Sequence, residues 1–328
     1  MPKTLLAPLV LMMSALLMLA ACGDDDDTDV EDATSPTAAA TERAATTYPL
    51  TITRSDGKTH TLEGPPQRVV SLSPGGTEIV YAIGAGDALV AVDNNADYPP
   101  EVATLSGRLD AYEPNIEAIA GFDPDLVIVA TDTAGLVEAL DRLEIPVLYQ
   151  DLDTTVKSID DVIAMVEQYG AVFDRTQEAE ALASDMRNRV DAVEAAVADA
   201  AAGAGGDPLS VYHELDSTFY SVAEDTFIGS IYAVLGLENI AGDGGGIAYP
   251  QLTQEAIVGA NPDVIVLADE GPAVTVESVE ARPGWDAIAA VQDGRIYSVD
   301  PDIISRPGPR IVDALEQLAA DIYPEQFP

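Results

Sequence analysis

An internal repeat is the sequence feature that most limits the folds open to this chain. Segment 117–130 aligns without gaps to segment 255–268, and seven of the fourteen aligned residues are identical. Each copy has a helical pattern, a Pro-Asp turn and a short apolar run. Common helix–turn–strand patterning would account for the turn and the apolar run, but not easily for the shared Glu-Ala-Ile-x-Gly. The repeat therefore predicts two structurally equivalent lobes.

Short apolar runs alternate with helical patterns on both sides of this repeat. Runs that are apolar on both faces are typical of parallel sheets covered by helices. An Asp-Gly pair at 56–57, between two alternating segments, predicts a further β-hairpin over 50–53 and 59–62. The predicted strands cover 68–72, 88–92, 126–129, 147–149, 209–212, 264–267 and 295–299, and predicted helices cover 77–83, 116–120, 136–143 and 310–323.

A long amphipathic stretch separates the two halves. Apolar residues from Ala179 to Val197 recur at spacings of three or four, which predicts one helix over 176–202, about 39 Å long at 1.5 Å per residue. The predicted fold class is α/β, with two Rossmann-like lobes of parallel sheet, residues 48–175 and 203–328, joined by this one linker helix. A ligand cleft is expected between the lobes.

The first residues predict export and membrane anchoring. Residues 5–21 form an apolar run that is short for a spanning helix and typical of a signal peptide. The run ends in Leu-Ala-Ala-Cys-Gly, which resembles the bacterial lipobox and contains the only cysteine, Cys22. We expect a signal peptide over 1–21, lipidation of Cys22 and attachment to the extracytoplasmic face of the cell membrane. The acidic, Thr/Ala/Ser/Pro-rich stretch 22–47 is expected to be a disordered tether.

Composition excludes several function classes. With 15 Lys+Arg against 57 Asp+Glu, the formal net charge is −42, so the surface would repel phosphate backbones and no nucleic-acid partner is expected. Such acidity also favours solubility in salty surroundings. A single cysteine rules out an intrachain disulfide, and only His60 and His213 are available for acid–base or zinc chemistry. This scarcity disfavours most zinc enzymes and Ser-His-Asp hydrolases.

The carboxyl ends of the predicted strands indicate where a ligand would bind, because ligand clefts of α/β lobes lie at that edge. The side chains there are hydroxyls, carboxylates, an aromatic or two and one arginine. They include no nucleophile–base–orienter set, which favours binding over catalysis, and no permanently bound cofactor is expected. These positions are 73–77, 94–98, 130–133, 212–214 and 302–306.

Several motifs resemble those of one family. They stand at 68–78, 85–87, 97–100, 238–240, 249–252, 261–263 and 306–310. With Arg-Val-Val-Ser-Leu-Ser-Pro-Gly-Gly-Thr-Glu at the first and Arg-Pro-Gly-Pro-Arg at the last, the chain resembles, over about residues 68–328, the vitamin B12/ferric-siderophore-binding proteins of ABC importers. The resemblance implies two lobes with a single helical linker, little hinge motion and no enzymatic activity. It also implies capture of an iron chelate (siderophore or haem) or cobalamin for delivery to an ABC permease.

The resemblance and the strand ends together give a set of candidate ligand contacts. Arg306 matches a family position where a cleft arginine often meets an anionic ligand group, whereas Arg310 is interpreted as a structural ion-pair partner. Residues 75–77 could hold an anion by the free N–H groups of a helix start, or could simply form a tight turn. His213 is expected to be packed or at the surface, and Glu214 to face the cleft. The candidate contacts are Ser73, Gly75, Gly76, Thr77, Asn95, Tyr112, Thr131, Glu214, Tyr220, Tyr249 and Arg306.

One surface glutamate in each lobe is a candidate for contacting the permease. In the family such a pair meets arginines on the permease dimer, and the matching positions are Glu117 and Glu255, which open the two copies of the repeat. Two equivalent acids suit a two-fold-symmetric receptor. The alternative is that each is an early-helix acid favoured by the helix dipole. The binding protein itself is expected to be a monomer.

Sequence alone leaves the ligand class open. Tyr112 and Tyr249 could stack on a flat ligand or be ordinary packing residues. Trp285 is the sole tryptophan, and a scarcity of cleft tryptophans favours a ferric siderophore or haem over a corrinoid. The acidic surface offers no broad basic pocket for a triply anionic catecholate, so a hydroxamate or near-neutral chelate fits better. The alternatives are a zinc- or manganese-binding lipoprotein, disfavoured by the two histidines, and a chelatase-like enzyme, disfavoured by the lipobox.

Overall fold

The computed structural model describes residues 45–152, 154–204, 206–268 and 274–327. All of them lie in a single structural unit, Arg43–Pro328. The expected signal peptide, Cys22 and nearly all of the expected tether lie outside the described residues, so those expectations stay predictions. Within the described ranges, no helix combines the length and apolar character needed to cross a membrane.

The N-terminal lobe is a parallel sheet with helices, preceded by the expected antiparallel hairpin of β1 (Leu50–Thr53) and β2 (Thr59–Leu62). The elements that follow are β3 (Val69–Leu72), α1 (Pro74–Ala82), β4 (Leu89–Asp93), β5 (Arg108–Leu109), α2 (Ile116–Gly121), β6 (Leu126–Val129), α3 (Leu136–Arg142), β7 (Val147–Tyr149) and α4 (Ile159–Val172). The strands lie in the order β5-β4-β3-β6-β7, and each neighbouring pair is parallel. Every residue of β3 and β6 is buried, as expected for strands covered on both faces.

Helix α5 (Thr176–Ala204) links the lobes and ends two residues later than predicted. The C-terminal lobe comprises β8 (Ser210–Glu214), α6 (Phe227–Val234), β9 (Glu238–Asn239), α7 (Gln254–Ala260), β10 (Val264–Leu267), α8 (Val276–Glu280), α9 (Ala289–Gln292), β11 (Ile296–Ser298), α10 (Pro301–Ile304) and α11 (Ile311–Ile322). Its strands lie in the order β11-β10-β8-β9, all parallel. This order matches β7-β6-β3-β4, so the two lobes share one topology and the predicted fold class is confirmed.

The two copies of the repeat have the same role in the two lobes. The carboxylate of Asp125, between α2 and β6, accepts hydrogen bonds from the backbone N–H groups of Gln67 (2.8 Å) and Arg68 (2.9 Å), just before β3. Asp263, between α7 and β10, accepts from the backbone N–H and the hydroxyl of Ser210 (2.8 Å each) at the start of β8. Each aspartate thus fixes the first strand of its sheet against the repeat strand, which accounts for the shared Pro-Asp.

Two local features differ from the predicted pattern. Helix α1 begins at Pro74 rather than at Thr77, because the Ser73 hydroxyl accepts the backbone N–H of Gly76 (3.0 Å) and proline fits the first helical position. The sequence pattern did not single out α4, which packs on α5 and buries eight of its residues.

One buried apolar cluster extends through both lobes and the helix between them. It includes Ile79 of α1, Val166 of α4, Val193 of α5, Val266 of β10 and Leu315 of α11. Two smaller clusters belong to one lobe each. Because close-packed interiors resist deformation, we expect a core shared in this way to limit motion between the two lobes.

Candidate functional site

A cavity of about 230 Å³ lies between the lobes and is called the cleft below. Its walls come from the loops that follow β3, β4, β5, β6 and β7, and from segment 301–307 of the C-terminal lobe. All five strands of the N-terminal parallel sheet therefore contribute to the cleft wall at their carboxyl ends. This is the edge at which α/β lobes bind ligands, and the sequence predicts a cleft there.

Six of the eleven candidate ligand contacts line the cleft, and five do not. Tyr112 is 72% exposed and forms part of the wall at its edge. The six residues that line the cleft are Ser73, Gly75, Asn95, Tyr112, Thr131 and Arg306, and the other five are Gly76, Thr77, Glu214, Tyr220 and Tyr249. Contact of any of the eleven with a ligand stays a prediction.

The start of α1 forms a tight turn against two neighbours. A Cβ on Gly75 would overlap the carbonyl oxygen of Pro307, which belongs to the other lobe, and a Cβ on Gly76 would lie 2.7 Å from the Tyr169 hydroxyl. The Thr77 side chain is buried, with its hydroxyl 2.9 Å from the Ser73 carbonyl oxygen. Gly76 and Thr77 thus have the contacts of a packed strand–helix turn, and Gly75 marks a close approach between the lobes.

Glu214 does not line the cleft but lies inside the C-terminal lobe, which differs from the prediction. It is fully buried, and each of its carboxylate oxygens accepts a hydrogen bond of 2.6 Å from Arg282. The guanidinium also lies 4.5 Å from the ring centroid of Trp285. His213 is confirmed as a packed residue, with Nδ1 2.5 Å from the Tyr232 hydroxyl, and burial lowers its pKa to about 3.

Tyr220 and Tyr249 lie in one surface region of the C-terminal lobe. Their exposed fractions are 39% and 43%, and Tyr220 pairs with Gln251 through an isolated antiparallel bridge. Ile247, in the same region, is 60% exposed. The stacking role predicted for Tyr249 would therefore require a ligand that extends beyond the cleft.

Arg306 is surrounded by carboxylates. Its Nη1 lies 2.5 Å from Asp97 Oδ1 and 3.9 Å from Glu78 Oε1, and its Nη2 pairs with Asp302. Only 12% of the Arg306 side chain is exposed. Burial opposes ionisation of Asp97, but the hydrogen bond and charge of Arg306 outweigh it and hold the pKa of Asp97 below its ordinary value.

A second ion pair joins the lobes beside the first. Arg310 donates from Nε (2.9 Å) and Nη2 (2.6 Å) to the two carboxylate oxygens of Glu78, and its guanidinium lies 4.1 Å from the ring centroid of Tyr98. This confirms Arg310 as a structural ion-pair partner. Glu78 and Asp97 belong to the N-terminal lobe and both arginines to the C-terminal lobe, so the four charges connect the lobes beside the cleft, whose wall includes Arg306.

Asp93 lines the cleft, although the sequence did not single it out. It is 1% exposed, and its carboxylate accepts the backbone N–H groups of Asn95 (2.9 Å) and Ala111 (3.0 Å). The sequence did contain a signal for Asp93, since it is an acid that directly follows the predicted apolar strand 88–92. Ligands of α/β lobes bind at such carboxyl ends of strands.

The predicted docking glutamates occupy matching positions. Glu117 follows the N-cap Asn115 by two residues in α2, and Glu255 follows the N-cap Thr253 by two residues in α7. Both glutamates are exposed. Their equivalence is consistent with a paired role, and their place in the first helical turn is equally consistent with the dipole alternative.

Direct metal coordination has no support in the described geometry. Across the described ranges, no group of three or more His, Cys, Asp or Glu side chains could hold a metal ion.

Residues 69–303 match the family model described as periplasmic binding protein. The chain is 32% identical over 289 residues to an uncharacterized ABC transporter substrate-binding lipoprotein of Bacillus subtilis, covering 85% of this chain and 87% of that protein. It is 30% identical over 281 residues to a cobalamin-binding protein of Halobacterium salinarum, covering 84% and 74% of the two chains.

A solved structure of a related protein has a similar fold. The ABC-type Fe3+-hydroxamate transport protein of Saccharomonospora viridis superposes with a TM-score of 0.69 at 26% identity, covering 84% of this chain and all of that one.

Proposed function

Because the chain belongs to the periplasmic binding protein family, we propose that it is the solute-binding component of an ABC importer. In this role it captures an iron chelate or cobalamin outside the cytoplasm and delivers it to a permease. The observation that carries the proposal is a cleft at the strand ends of a two-lobed fold, in a chain that matches a substrate-binding lipoprotein over 85% of its length.

The ligand classes considered are a ferric siderophore, haem and cobalamin. A cobalamin-binding relative supports the last, and similarity to an Fe3+-hydroxamate transport protein supports the first. A cavity of about 230 Å³ would enclose only part of any of these ligands, and the exposed ring of Tyr112 is available at its edge for contact with the remainder.

The proposal is tested on the full chain, purified in nonionic detergent from iron-starved cells. Mass spectrometry of the co-purified ligand should find a metal chelate or corrinoid. A melting-temperature shift should then be seen with at least one of a ferric hydroxamate, haem and cobalamin. A shift with zinc alone, abolished by a chelator, would instead establish a metal-ion binding protein.

Attachment to the membrane through lipidated Cys22 is part of the proposal, supported by the lipoprotein named among the relatives. Replacing Cys22→Ala should move the protein from the membrane fraction to the soluble extracytoplasmic fraction and abolish labelling by a radioactive fatty acid. Retention of both label and membrane association would contradict this role.

We assign permease docking to Glu117 and Glu255. Reversing both charges (Glu117→Lys with Glu255→Lys) should reduce ligand-dependent transport and stimulated ATP hydrolysis at least about tenfold, while the ligand Kd stays within about twofold, since neither residue lines the cleft. Loss of ligand affinity would contradict the assignment.

A matched control separates docking from the helix dipole. Asp160 in α4 and Glu277 in α8 also follow the N-cap by two residues and are exposed. Reversing these two charges places lysine at the same unfavourable helix position. Transport should fall with the docking pair and not with this pair; an equal fall with both pairs would favour the dipole explanation.

A further inference from the structure

The charge environment of Arg306 determines what the cleft can bind, provided that the proposed function is correct. Arg306 is the only cation in the cavity wall as far as the structure describes it. In isolation it would attract an anionic ligand group, as the family resemblance implies. Whether Arg306 can attract an anion in the folded protein depends on the carboxylates around its guanidinium.

Both terminal nitrogens of Arg306 are engaged. Nη1 is 2.5 Å from Asp97 Oδ1, Nη2 contacts Asp302, and Glu78 approaches to 3.9 Å. A ligand anion that approached the remaining N–H groups of this guanidinium would lie beside the carboxylates of Asp97 and Asp302. Like charges at such distances repel strongly where water is partly excluded.

The remaining charges do not restore a positive potential. Asp93 and Asp302 line the cleft with Arg306, while Glu78 and Asp97 lie next to Arg306 and Arg310 pairs with Glu78. This set contains four carboxylates and two guanidinium groups, so its net charge is negative. Asp93 is held in place by two backbone N–H groups, which prevents it from turning away from a ligand.

The other polar groups of the wall are neutral. Ser73, Asn95, Thr131 and Thr133 offer hydroxyl and amide groups that can donate to or accept from a ligand's carbonyls and amides. We propose that the cleft selects neutral or cationic chelates, rich in amide or hydroxamate groups, and rejects polyanionic ones such as tricatecholates. Arg306 acts there as a connector between the lobes rather than as an anion receptor.

The first test compares probes of different charge on the full wild-type chain in nonionic detergent, by isothermal titration calorimetry. The probes are cyanocobalamin, a neutral ferric trihydroxamate, a ferric trihydroxamate with a free ammonium group, and a ferric tricatecholate with three negative charges. The tightest of the first three should bind at least about tenfold more tightly than the tricatecholate. Added salt should weaken binding of the cationic probe and strengthen any residual binding of the tricatecholate, because salt screens both attraction and repulsion.

The second test exposes Arg306. The double substitution Asp97→Asn with Asp302→Asn removes two negative charges with little change of shape. The ratio of tricatecholate affinity to neutral-probe affinity should rise about tenfold or more. The control is Glu144→Gln with Asp293→Asn, which changes the net charge by the same amount. Both residues are exposed and precede β7 and β11, so they lie near the amino ends of these strands, whereas the cleft lies at the carboxyl ends. In the control the ratio should change less than about twofold.

The outcomes distinguish this inference from the proposed function. If the wild type binds the tricatecholate most tightly, or if the cleft and control substitutions change the ratio equally, the charge selection is wrong and the binding function stands. If neither the wild type nor the Asp97/Asp302 variant binds any probe, and no ligand co-purifies, the binding function itself is wrong and the inference fails with it.

Discussion

At the scale of single residues, the carboxylate of Glu78 shows how a charged group is stabilised when it is buried from solvent. Its residue is 4% exposed, and burial raises the pKa of Glu78 above its ordinary value in spite of the nearby charges of Arg310 and Arg306. The two hydrogen bonds from Arg310 make the charged form tolerable. Removal of that partner would leave the buried charge with only the more distant guanidinium of Arg306, 3.9 Å away.

We therefore expect Arg310→Ala to destabilise the protein by about 3–5 kcal/mol at neutral pH. An acid whose folded-state pKa is raised contributes stability at low pH that is lost as the pH rises through the folded value. The penalty should consequently shrink when the pH is lowered towards 5, because Glu78 then takes up a proton. Urea unfolding of wild type and variant at both pH values measures this difference.

The double substitution Glu78→Gln with Arg310→Ala is the control for that prediction. It removes the charge together with its partner, so it should recover most of the lost stability at neutral pH and show little pH-dependent penalty. A penalty for Arg310→Ala that is the same at both pH values would show that lost packing on Tyr98, not the Glu78 charge, causes the effect.

The position of a cleft residue could be predicted from the sequence, but its electrostatic state could not. The end of an apolar strand or a family motif indicates where Ser73, Asn95 or Arg306 will lie. The carboxylate that neutralises Arg306 from the other lobe, Asp97, is 209 residues away along the chain. Such a pairing depends on how the two lobes meet, which no local pattern encodes.

At the scale of elements, the aspartate of the Pro-Asp turn has the same structural role in both copies of the repeat. Asp125 and Asp263 each accept two hydrogen bonds from residues at the start of the neighbouring strand. Hydrogen bonds to a charged acceptor are worth more than neutral ones, but water competes with them where they are exposed, as at Asp125, so both bonds of one aspartate together contribute about 2–3 kcal/mol. The turn therefore fixes the register of two strands as well as connecting a helix to a strand.

We expect Asp125→Ala and Asp263→Ala each to lower the free energy of unfolding by about 2–3 kcal/mol. The two losses should add, because the residues lie in different lobes and share no partner. Urea unfolding measures them, with Asp293→Ala as an exposed control that should change stability by less than about 0.5 kcal/mol. A loss no larger than that of the control would show that the aspartates do not fix the strands.

Strand boundaries were predictable for fully buried apolar strands and for the two alternating strands of the hairpin. The predicted bounds of β6, β7 and β10 are those of the structure. Strand β8 continues to Glu214, two residues beyond the predicted end, because Arg282 neutralises Glu214 and Tyr232 contacts His213, which lets polar residues occupy the core. When a polar residue is buried because its partner lies on another element, the sequence around it gives no indication of that burial.

At the scale of the whole molecule, the backbones of the two lobes approach each other closely where α1 begins. The space for a side chain on Gly75 is taken by the backbone of Pro307, so glycine is required here by proximity rather than by its backbone angles. The repeat made the equivalence of the lobes predictable. It could not predict this contact, because equivalent lobes can meet in many ways.

We expect Gly75→Ala to push the lobes apart, lowering stability by about 1–3 kcal/mol and weakening ligand binding at least about fivefold. Gly121→Ala is the matched control, since a Cβ at Gly121 in the same lobe meets nothing within 4 Å. That variant should change stability by no more than about 0.5 kcal/mol. Calorimetric melting and ligand titration of both variants test the prediction, and equal behaviour of the two would contradict it.

The buried cluster that extends through α5 has a consequence for the timing of transport. A cleft that is already formed needs no closing step, so we expect capture to proceed as fast as encounter allows, with a residence time set by the contacts alone. A second consequence is that the ligand-free and ligand-bound proteins would have nearly the same surface shape for a receptor to contact. We therefore expect unloading to need work from outside, and the contacts between the lobes that would have to change include the two arginine–carboxylate pairs.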